Sequence, residues 1–232
     1  LFAQFPMTEL PLQDLSAFQS TAANWQIVGQ VQAPFDKKKS LDTQKGTGVL
    51  VNLPDAKNKA QLFTQFEHGD IDLELEVMMP RGSNSGIYLQ GRYEIQLLDS
   101  WGKERPTFGD MGGIYQRWDD AQPDGQQGYE GTAPLVNAAQ APGLWQQLRI
   151  SFQAPRFDAA GDKIQNARIL FVELNGVTIH ENVELTRPTR GPYVGGGDEA
   201  PMGPIVIQGD HGPVAFRNIK YRSFDGQPIT LQ

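Results

Sequence analysis

The sequence contains no cysteine and only three histidines, and both shortages narrow the chemistry open to the chain. Without cysteine it forms no disulfide, no thiolate zinc site, no iron–sulfur cluster and no cysteine nucleophile. His68, His180 and His211 lie far apart in the sequence, and a three-histidine zinc site would need all of them. We therefore do not expect a zinc centre.

An excess of positive charge and long apolar runs are also missing. The 20 lysines and arginines are outnumbered by 27 acidic residues, so the formal net charge is −7. This balance disfavours nucleic acid as a partner, because phosphates demand a basic surface. No run approaches the roughly 20 apolar residues of a membrane helix, so we expect no membrane span. The sequence starts at Leu1 rather than methionine. A signal peptide that had been removed would leave no trace in it.

The dominant pattern of the sequence is period-two alternation of apolar and polar side chains in short runs. Turns rich in glycine, proline, asparagine and aspartate separate them, which is typical of antiparallel strands with one face on a core. The runs are 25–31, 47–53, 70–78, 86–90, 93–98, 145–152, 168–174, 204–208 and 214–221. Asn175-Gly176 predicts a two-residue hairpin turn. No long amphipathic helix, internal repeat or linker is apparent. We predict one all-β domain over residues 1–232, a sandwich of two antiparallel sheets with its core at about 25–222.

Two segments depart from the alternation. Residues 100–143 hold Trp101, Phe108, Tyr115, Trp118 and Tyr129 among many glycines, prolines and aspartates. A long stretch without periodicity is more often a functional rim or lid than a structural necessity. Residues 189–203, with three consecutive glycines, predict a second, mobile loop.

Acidic residues alternate along one predicted strand, at Asp70, Asp72, Glu74 and Glu76. Such a face is often a solvated surface paired with lysine and arginine, which is one interpretation of Asp70 and Asp72. Glu76 lies next to the following turn, where we expect a role in a cleft.

The next two predicted strands bring polar and aromatic side chains to one face. If Ile95 points to the core, Glu94 and Gln96 point away from it, together with Tyr88 and Gln90 of the neighbouring strand. Acid and amide groups beside aromatic rings suit sugar hydroxyls, which need donors, acceptors and a flat apolar platform. A plain solvent-facing surface is the alternative interpretation.

Near the C-terminus, His211 follows a predicted strand at a turn, where an imidazole can transfer protons near neutrality. A histidine in a turn can equally be structural. Arg217, in the next strand, could pair with a carboxylate or bind a substrate oxygen.

An ordered set of short motifs resembles the 3-keto-disaccharide hydrolase domain family, from about residue 25 to residue 221. The motifs are Asn84-Ser85-Gly86-Ile87-Tyr88-Leu89, Tyr93-Glu94-Ile95-Gln96-Leu97-Leu98-Asp99, Gly113-Ile114-Tyr115, Gly143-Leu144-Trp145, Leu174-Asn175-Gly176, Ile207-Gln208, His211-Gly212 and Val214-Ala215-Phe216-Arg217-Asn218-Ile219.

The resemblance implies a concanavalin-like jelly-roll sandwich with long loops over its concave face, and a secreted or periplasmic location. It also implies cleavage of glycosidic bonds in sugars oxidised at C3, so an oligosaccharide or 3-keto glycoside is the expected partner. Two positions depart from the family pattern: Gln90 stands where arginine is frequent, and Gln146 replaces asparagine after Gly143-Leu144-Trp145. These departures concern the identity of the substrate rather than the fold.

The implied reaction assigns roles to the polar residues. A ketone at C3 acidifies the C2 proton, so a base can remove it, the glycosidic oxygen can leave by elimination, and water can add to the enone. The expected base is His211 or Glu94, and the acid is the other of these or Glu76. Gln96, Tyr115 and Arg217 would orient the sugar or stabilise the oxyanion. Asp99, Gln90, Tyr88 and Trp118 complete the expected substrate-binding set.

Two other functions remain open at this point. An ordinary two-carboxylate glycosidase would use Glu94 with Glu76 or with Asp99. The glucanase string Glu-x-Asp-x-x-Glu does not occur in the sequence, which argues against it. A noncatalytic sugar-binding module would use the aromatics of residues 100–129 for stacking.

No cofactor is required by these readings, although calcium or magnesium is an option. Both ions favour oxygen ligands, which Glu76, Glu94, Asp99 and the Asp119-Asp120 pair could supply. No contiguous ligand loop is visible in the sequence.

Overall fold

The computed structural model describes residues 6–19 and 22–224, which form an antiparallel β-sandwich. The strands within these residues are β1 (Thr8–Glu9), β2 (Trp25–Gln32), β3 (Asp42–Asn52), β4 (Leu62–His68), β5 (Ile71–Met78), β6 (Asn84–Leu89), β7 (Tyr93–Leu98), β8 (Arg117–Trp118), β9 (Gly128–Tyr129), β10 (Trp145–Gln153), β11 (Arg156–Phe157), β12 (Lys163–Gln165), β13 (Ala167–Leu174), β14 (Val177–Leu185), β15 (Gly203–Ile207) and β16 (Val214–Ser223). A 3₁₀ turn covers Gly195–Gly197.

Two sheets make up the sandwich. The larger sheet has the order β14-β13-β10-β5-β16-β3-β2, with β1 paired to β16, and the smaller sheet has the order β4-β15-β6-β7. Bridges from Ile95 to Ile114 and from Ile114 to Thr132 add the long loop after β7 to the edge of the smaller sheet. The predicted sandwich of antiparallel sheets is confirmed. No helical segment within 6–19 and 22–224 has the length and apolar character of a membrane span.

All nine predicted strands are present, and all but one have both ends within two residues of the prediction. The exception is β3, which starts five residues early, at Asp42. The hairpin turn between β13 and β14 is also confirmed, since Asn175 has φ 54° and Gly176 has φ 80°, the backbone that an Asn-Gly turn provides. The strand β4 was not predicted.

The core lies between the two sheets and is built by alternate residues of each strand. Leu73 and Leu75 of β5 and Ile95 and Leu97 of β7 belong to one buried apolar cluster. Side chains alternate across a strand. The residues that alternate with them along each strand, including Glu76 of β5 and Glu94 of β7, therefore point to the two opposite outer faces of the sandwich.

The outer face of the larger sheet carries a ladder of ion pairs. Its carboxylates meet arginines of the neighbouring strands: Asp72 with Arg222 at 2.5 Å, Glu74 with Arg149 at 3.0 Å and Glu76 with Arg217 at 2.6 Å. This confirms the interpretation of Asp72 as a member of a paired, partly solvated face.

Asp70 is paired with an arginine as expected, but it is buried, so the interpretation of it as part of a solvated face is wrong. It precedes β5, and its side chain is buried. Its carboxylate accepts hydrogen bonds from the Ala154 N–H at 2.8 Å and from Arg156 at 2.6 and 2.8 Å.

Candidate active site

A cavity of about 390 Å³ lies on the outer face of the smaller sheet, the side opposite the ion-pair ladder. Strands β6 and β7 form its floor, and three loops form its walls. We call it the Glu94 cavity. Its lining residues are Asn84, Tyr88, Glu94, Gln96, Tyr115, Arg190, Gly191, Tyr193, Gln208 and His211.

The carboxyl of Glu94 is buried in the floor of the cavity. It lies against Gly86, the diagonal neighbour on β6, where a Cβ atom would overlap the Glu94 Oε1 atom. Glycine at this position therefore gives the carboxyl its place. Burial raises the pKa of Glu94 to about 8, a hydrogen bond with Tyr88 opposes the rise, and the charge of Asp210 adds to it. At neutral pH the group is mainly a protonated acid that can donate.

His211 lines the same cavity and is oriented by the residue before it. Its Nδ1 atom lies 2.7 Å from Oδ1 of Asp210. Burial acts to raise the pKa of Asp210, but hydrogen bonds from His211 and Gln61 outweigh it and lower the pKa. An ionised carboxylate only accepts hydrogen bonds, so the Nδ1 atom that faces Asp210 is the donor and Nε2 is the ring nitrogen left to face the cavity.

The amide of Gln96 offers a donor beside these two groups. Its Oε1 atom accepts the backbone N–H of Leu97 at 3.0 Å, which leaves the NH₂ group for the cavity. Tyr115, from the loop after β7, completes this side of the cavity. Its backbone N–H donates to the backbone carbonyl of Glu94 at 3.1 Å.

The opposite wall comes from residues 189–194. Backbone N–H groups of Thr189, Arg190 and Tyr193 donate at 2.8 to 3.0 Å to carbonyls of the turn between β6 and β7 and of the loop after β7. The Tyr193 ring packs at 69° to Tyr88, with centroids 4.7 Å apart. Burial raises the pKa of Tyr193 to about 12, so its hydroxyl stays protonated. The segment is thus bonded to the sheet as a fixed wall.

The cavity brings together five of the ten residues that the sequence singled out: Glu94, His211, Gln96, Tyr115 and Tyr88. Trp118 lies beside it, because the Arg190 guanidinium stacks on its ring at 3.6 Å. The indole N–H of Trp118 donates to Asp120 at 2.8 Å.

Glu76 and Arg217 lie outside the cavity, which corrects the expectation of a cleft role for Glu76. They pair with each other on the outer face of the larger sheet, where Arg217 also lies 4.3 Å from the centre of the Trp145 ring. The Asn218 amide donates to the second Glu76 oxygen at 2.8 Å. The alternation of β5 sends Glu76 there, because its neighbours Leu75 and Val77 face the core.

The side chains of Gln90 and Asp99 hydrogen-bond to backbone groups and do not line the cavity. Gln90 is fully buried in the turn between β6 and β7 and donates to the carbonyls of His68 and Pro201 at 3.2 and 2.9 Å. The Asp99 carboxylate accepts the N–H groups of Gly82 at 2.8 Å and Trp101 at 3.4 Å.

Four lining side chains were not predicted: Asn84, Arg190, Tyr193 and Gln208. Gln208 continues the alternation of β15, in which Ile205 and Ile207 face the core, so the period-two pattern could have identified it. Arg190 and Tyr193 stand in a loop without periodicity and gave no such signal.

The acids proposed as ligands for calcium or magnesium are dispersed. Glu76 and Glu94 lie on opposite faces, Asp99 caps a turn, and Asp119 accepts hydrogen bonds from Ala121 and Gln122. Within residues 6–19 and 22–224, no three His, Asp or Glu side chains are grouped closely enough to hold a metal ion.

Comparison with known proteins gives one family and several structures. The model of a 3-keto-alpha-glucoside-1,2-lyase-like domain matches residues 14–222. A Parabacteroides distasonis ATCC 8503 protein, provisionally assigned as a glycosyl hydrolase, is 27% identical with a TM-score of 0.66, over 94% of this chain and 84% of that one. A second protein of that strain, assigned in the same way, has the same fold at 20% identity and a TM-score of 0.56, over 94% of this chain and 100% of that one. No curated protein matches.

Proposed function

The chain belongs to the 3-keto-alpha-glucoside-1,2-lyase-like domain family, and on that premise we propose that it cleaves glycosidic bonds of glucosides oxidised to a ketone at C3. The family and the Parabacteroides relative together support activity on carbohydrate. The proposed reaction is a 1,2-elimination followed by hydration. The observation that carries it is the buried Glu94 carboxyl in one cavity with the His211–Asp210 pair.

The elimination uses the acidity that the C3 ketone gives to the C2 proton. A base takes this proton, and the C2–H electron pair forms an enolate whose charge rests on the C3 oxygen. The enolate then re-forms the ketone and expels the glycosidic oxygen from C1, which leaves a C1=C2 double bond. The leaving oxygen takes a proton from an acid. Water next adds across the double bond, with OH to C1 and H to C2, so the net reaction is hydrolysis.

We assign the base to His211. The Nδ1–H bond to Asp210 fixes the ring and leaves Nε2 as the acceptor. Asp210 also stabilises the imidazolium that forms when Nε2 takes the C2 proton, as a carboxylate beside a catalytic histidine does.

We assign the acid to Glu94. Its pKa of about 8 keeps it protonated at neutral pH, as donation to the leaving oxygen requires. The carboxylate that remains accepts a proton from the water that attacks C1. His211, which is 49% exposed and exchanges its proton with solvent, then delivers a proton to C2, so both groups end as they began.

The enolate oxygen needs hydrogen-bond donors. The NH₂ group of Gln96 and the guanidinium of Arg190 both line the cavity and carry positive or partly positive charge. Stabilisation of a developing oxyanion is commonly the largest single contribution to such a reaction. Tyr115 and Tyr88 would orient the sugar ring.

The two alternatives differ in their support. A two-carboxylate glycosidase built from Glu94 with Glu76 loses support, because those acids lie on opposite faces of the sandwich. Asp99 as the partner also loses support, because its carboxylate caps the turn at Gly82. A noncatalytic sugar-binding module would fill the same cavity without turnover.

The test compares 3-keto glucosides and 3-keto trehalose with their unoxidised parents. We expect turnover of the oxidised compounds alone, and a loss of at least about 100-fold in kcat for Glu94→Gln and for His211→Ala. Glu74→Gln, the same change on the outer face of the larger sheet, is the matched control and should keep wild-type turnover. Turnover of the parents would favour an ordinary glycosidase. Binding without any turnover would favour the sugar-binding module.

The proposal includes export to the periplasm or the medium, which family resemblance supports. Fractionation of cells that express the full natural gene tests it. Activity found in the cytoplasmic fraction alone would contradict it.

A further inference from the structure

Two large aromatic side chains lie half exposed beyond one end of the Glu94 cavity. Phe35 is 51% exposed and Trp101 is 54% exposed. Their rings meet edge to face with centroids 5.9 Å apart, and the Arg81 guanidinium lies 6.0 Å from the Phe35 ring. Adjoining exposed aromatic rings commonly mark a contact surface. We call these two residues the aromatic pair.

Hydrogen bonds tie the Phe35 loop to the wall of the cavity. The Arg81 side chain donates to the Phe35 carbonyl at 3.3 Å, and the Lys39 N–H donates to the Arg81 carbonyl at 2.9 Å. The Lys39 ammonium donates to the carbonyl of His211 at 3.1 Å. The loop therefore abuts the segment that carries the proposed base.

Trp101 is connected to the floor of the cavity. Its N–H and the N–H of Gly82 share the carboxylate of Asp99, the residue that follows β7. The register pairs Asn84 with Leu98 at this end of β6 and β7, and Tyr88 with Glu94 at the other. From Glu94 to Leu98 the strand covers about 14 Å at 3.4 Å per residue. The end of β7 that leads to Trp101 is thus well separated from the Glu94 carboxyl.

We propose that Phe35 and Trp101 form a distal subsite that stacks on a sugar ring of an oligosaccharide whose 3-keto ring lies at Glu94. The C–H face of a pyranose packs on an aromatic face, and the flanking Arg81 and Lys39 donate to hydroxyl groups. This rests on the proposed function for the position of the reacting ring. Asp99 is a positioning residue here, because it sets Trp101 and the turn at Gly82.

The test uses two substrates that differ in length, methyl 3-keto-glucoside and an oligosaccharide of three or more rings that ends in a 3-keto ring. For Trp101→Ala and Phe35→Ala we expect KM for the longer substrate to rise about tenfold with kcat unchanged. The shorter substrate should keep its wild-type KM. Ile164→Ala, which removes another exposed apolar side chain (67% exposed), is the matched control. Equal effects on both substrates, or no effect on either, would overturn the subsite.

Binding separates this inference from the proposed function. Calorimetric titration of Glu94→Gln with unoxidised gluco-oligosaccharides of two to six rings should show affinity that grows with length, and Trp101→Ala in that background should remove the growth. Length-dependent binding without turnover of any 3-keto compound keeps the subsite and refutes the proposed function. Turnover of 3-keto compounds without any length dependence of binding keeps the proposed function and refutes the subsite. A Trp101→Ala change that leaves oligosaccharide binding intact also refutes the subsite.

Discussion

Gly86→Ala should inactivate the protein without unfolding it. A Cβ at position 86 would overlap Oε1 of Glu94 and lie 3.1 Å from its Cδ and Cγ. Favourable contacts between heavy atoms need about 3.5–4.0 Å, so the carboxyl must retreat by roughly 1 Å or rotate. Misplacement of a catalytic group by about 1 Å costs on the order of 100-fold in rate. We therefore expect kcat for 3-keto glucosides to fall about 100-fold. The change in unfolding free energy should stay small, because the end of a flexible side chain yields.

The matched control is Gly69→Ala, where a Cβ would lie 3.5 Å from the Pro201 carbonyl, an ordinary contact. Steady-state kinetics and thermal denaturation should be measured for both variants. If Gly86→Ala retained full kcat with a melting temperature equal to wild type, the position of the Glu94 carboxyl would not control the reaction, and the assignment would be refuted.

Three further predictions follow from the charges of the fold. Because Glu94 must be protonated and its pKa is about 8, kcat/KM should fall as the pH rises through 8, and a pH profile flat to pH 10 would contradict this. Burial lowers the pKa of His68 to about 4 from 6.5, so the unfolded chain binds the extra proton in this interval. The unfolding free energy should fall by about 3 kcal/mol from this group as pH drops from 6.5 to 4, measurable by urea denaturation. Asp70→Ala should cost about 3 kcal/mol, since it leaves Arg156 without its buried partner, and a change below 1 kcal/mol would show that the pair is not structural.

Alternation in the sequence was sufficient to predict most of the long strands and some of the residues of the site. Alternation along β7 put Ile95 and Leu97 in the core and Glu94 and Gln96 on the other face, as observed. The strand β4 escaped prediction because its inward positions include the polar Thr64 and His68, both buried and hydrogen-bonded. Polar side chains on a buried face erase the apolar period that reveals a strand.

Which outer face forms the site could not be predicted from alternation. The polar residues of β5 and β7 repeat with the same period, yet Glu76 meets Arg217 on the larger sheet while Glu94 meets a cavity. Only the order of strands in the two sheets separates these outcomes. The wall formed by Arg190 and Tyr193 depends on backbone bonds from a loop to the smaller sheet, which no local pattern encodes.

Solvent deuterium offers the most direct test of the elimination at the centre of this account. Cleavage of a 3-keto glucoside in D₂O should give 3-keto glucose with deuterium at C2, because the imidazole of His211 is 49% exposed and exchanges the abstracted proton with solvent. A control in which 3-keto glucose itself is incubated in D₂O with the His211→Ala variant measures spontaneous exchange at C2. Product that carries no deuterium at C2 beyond this background would contradict the elimination and, with it, the roles given to Glu94 and His211.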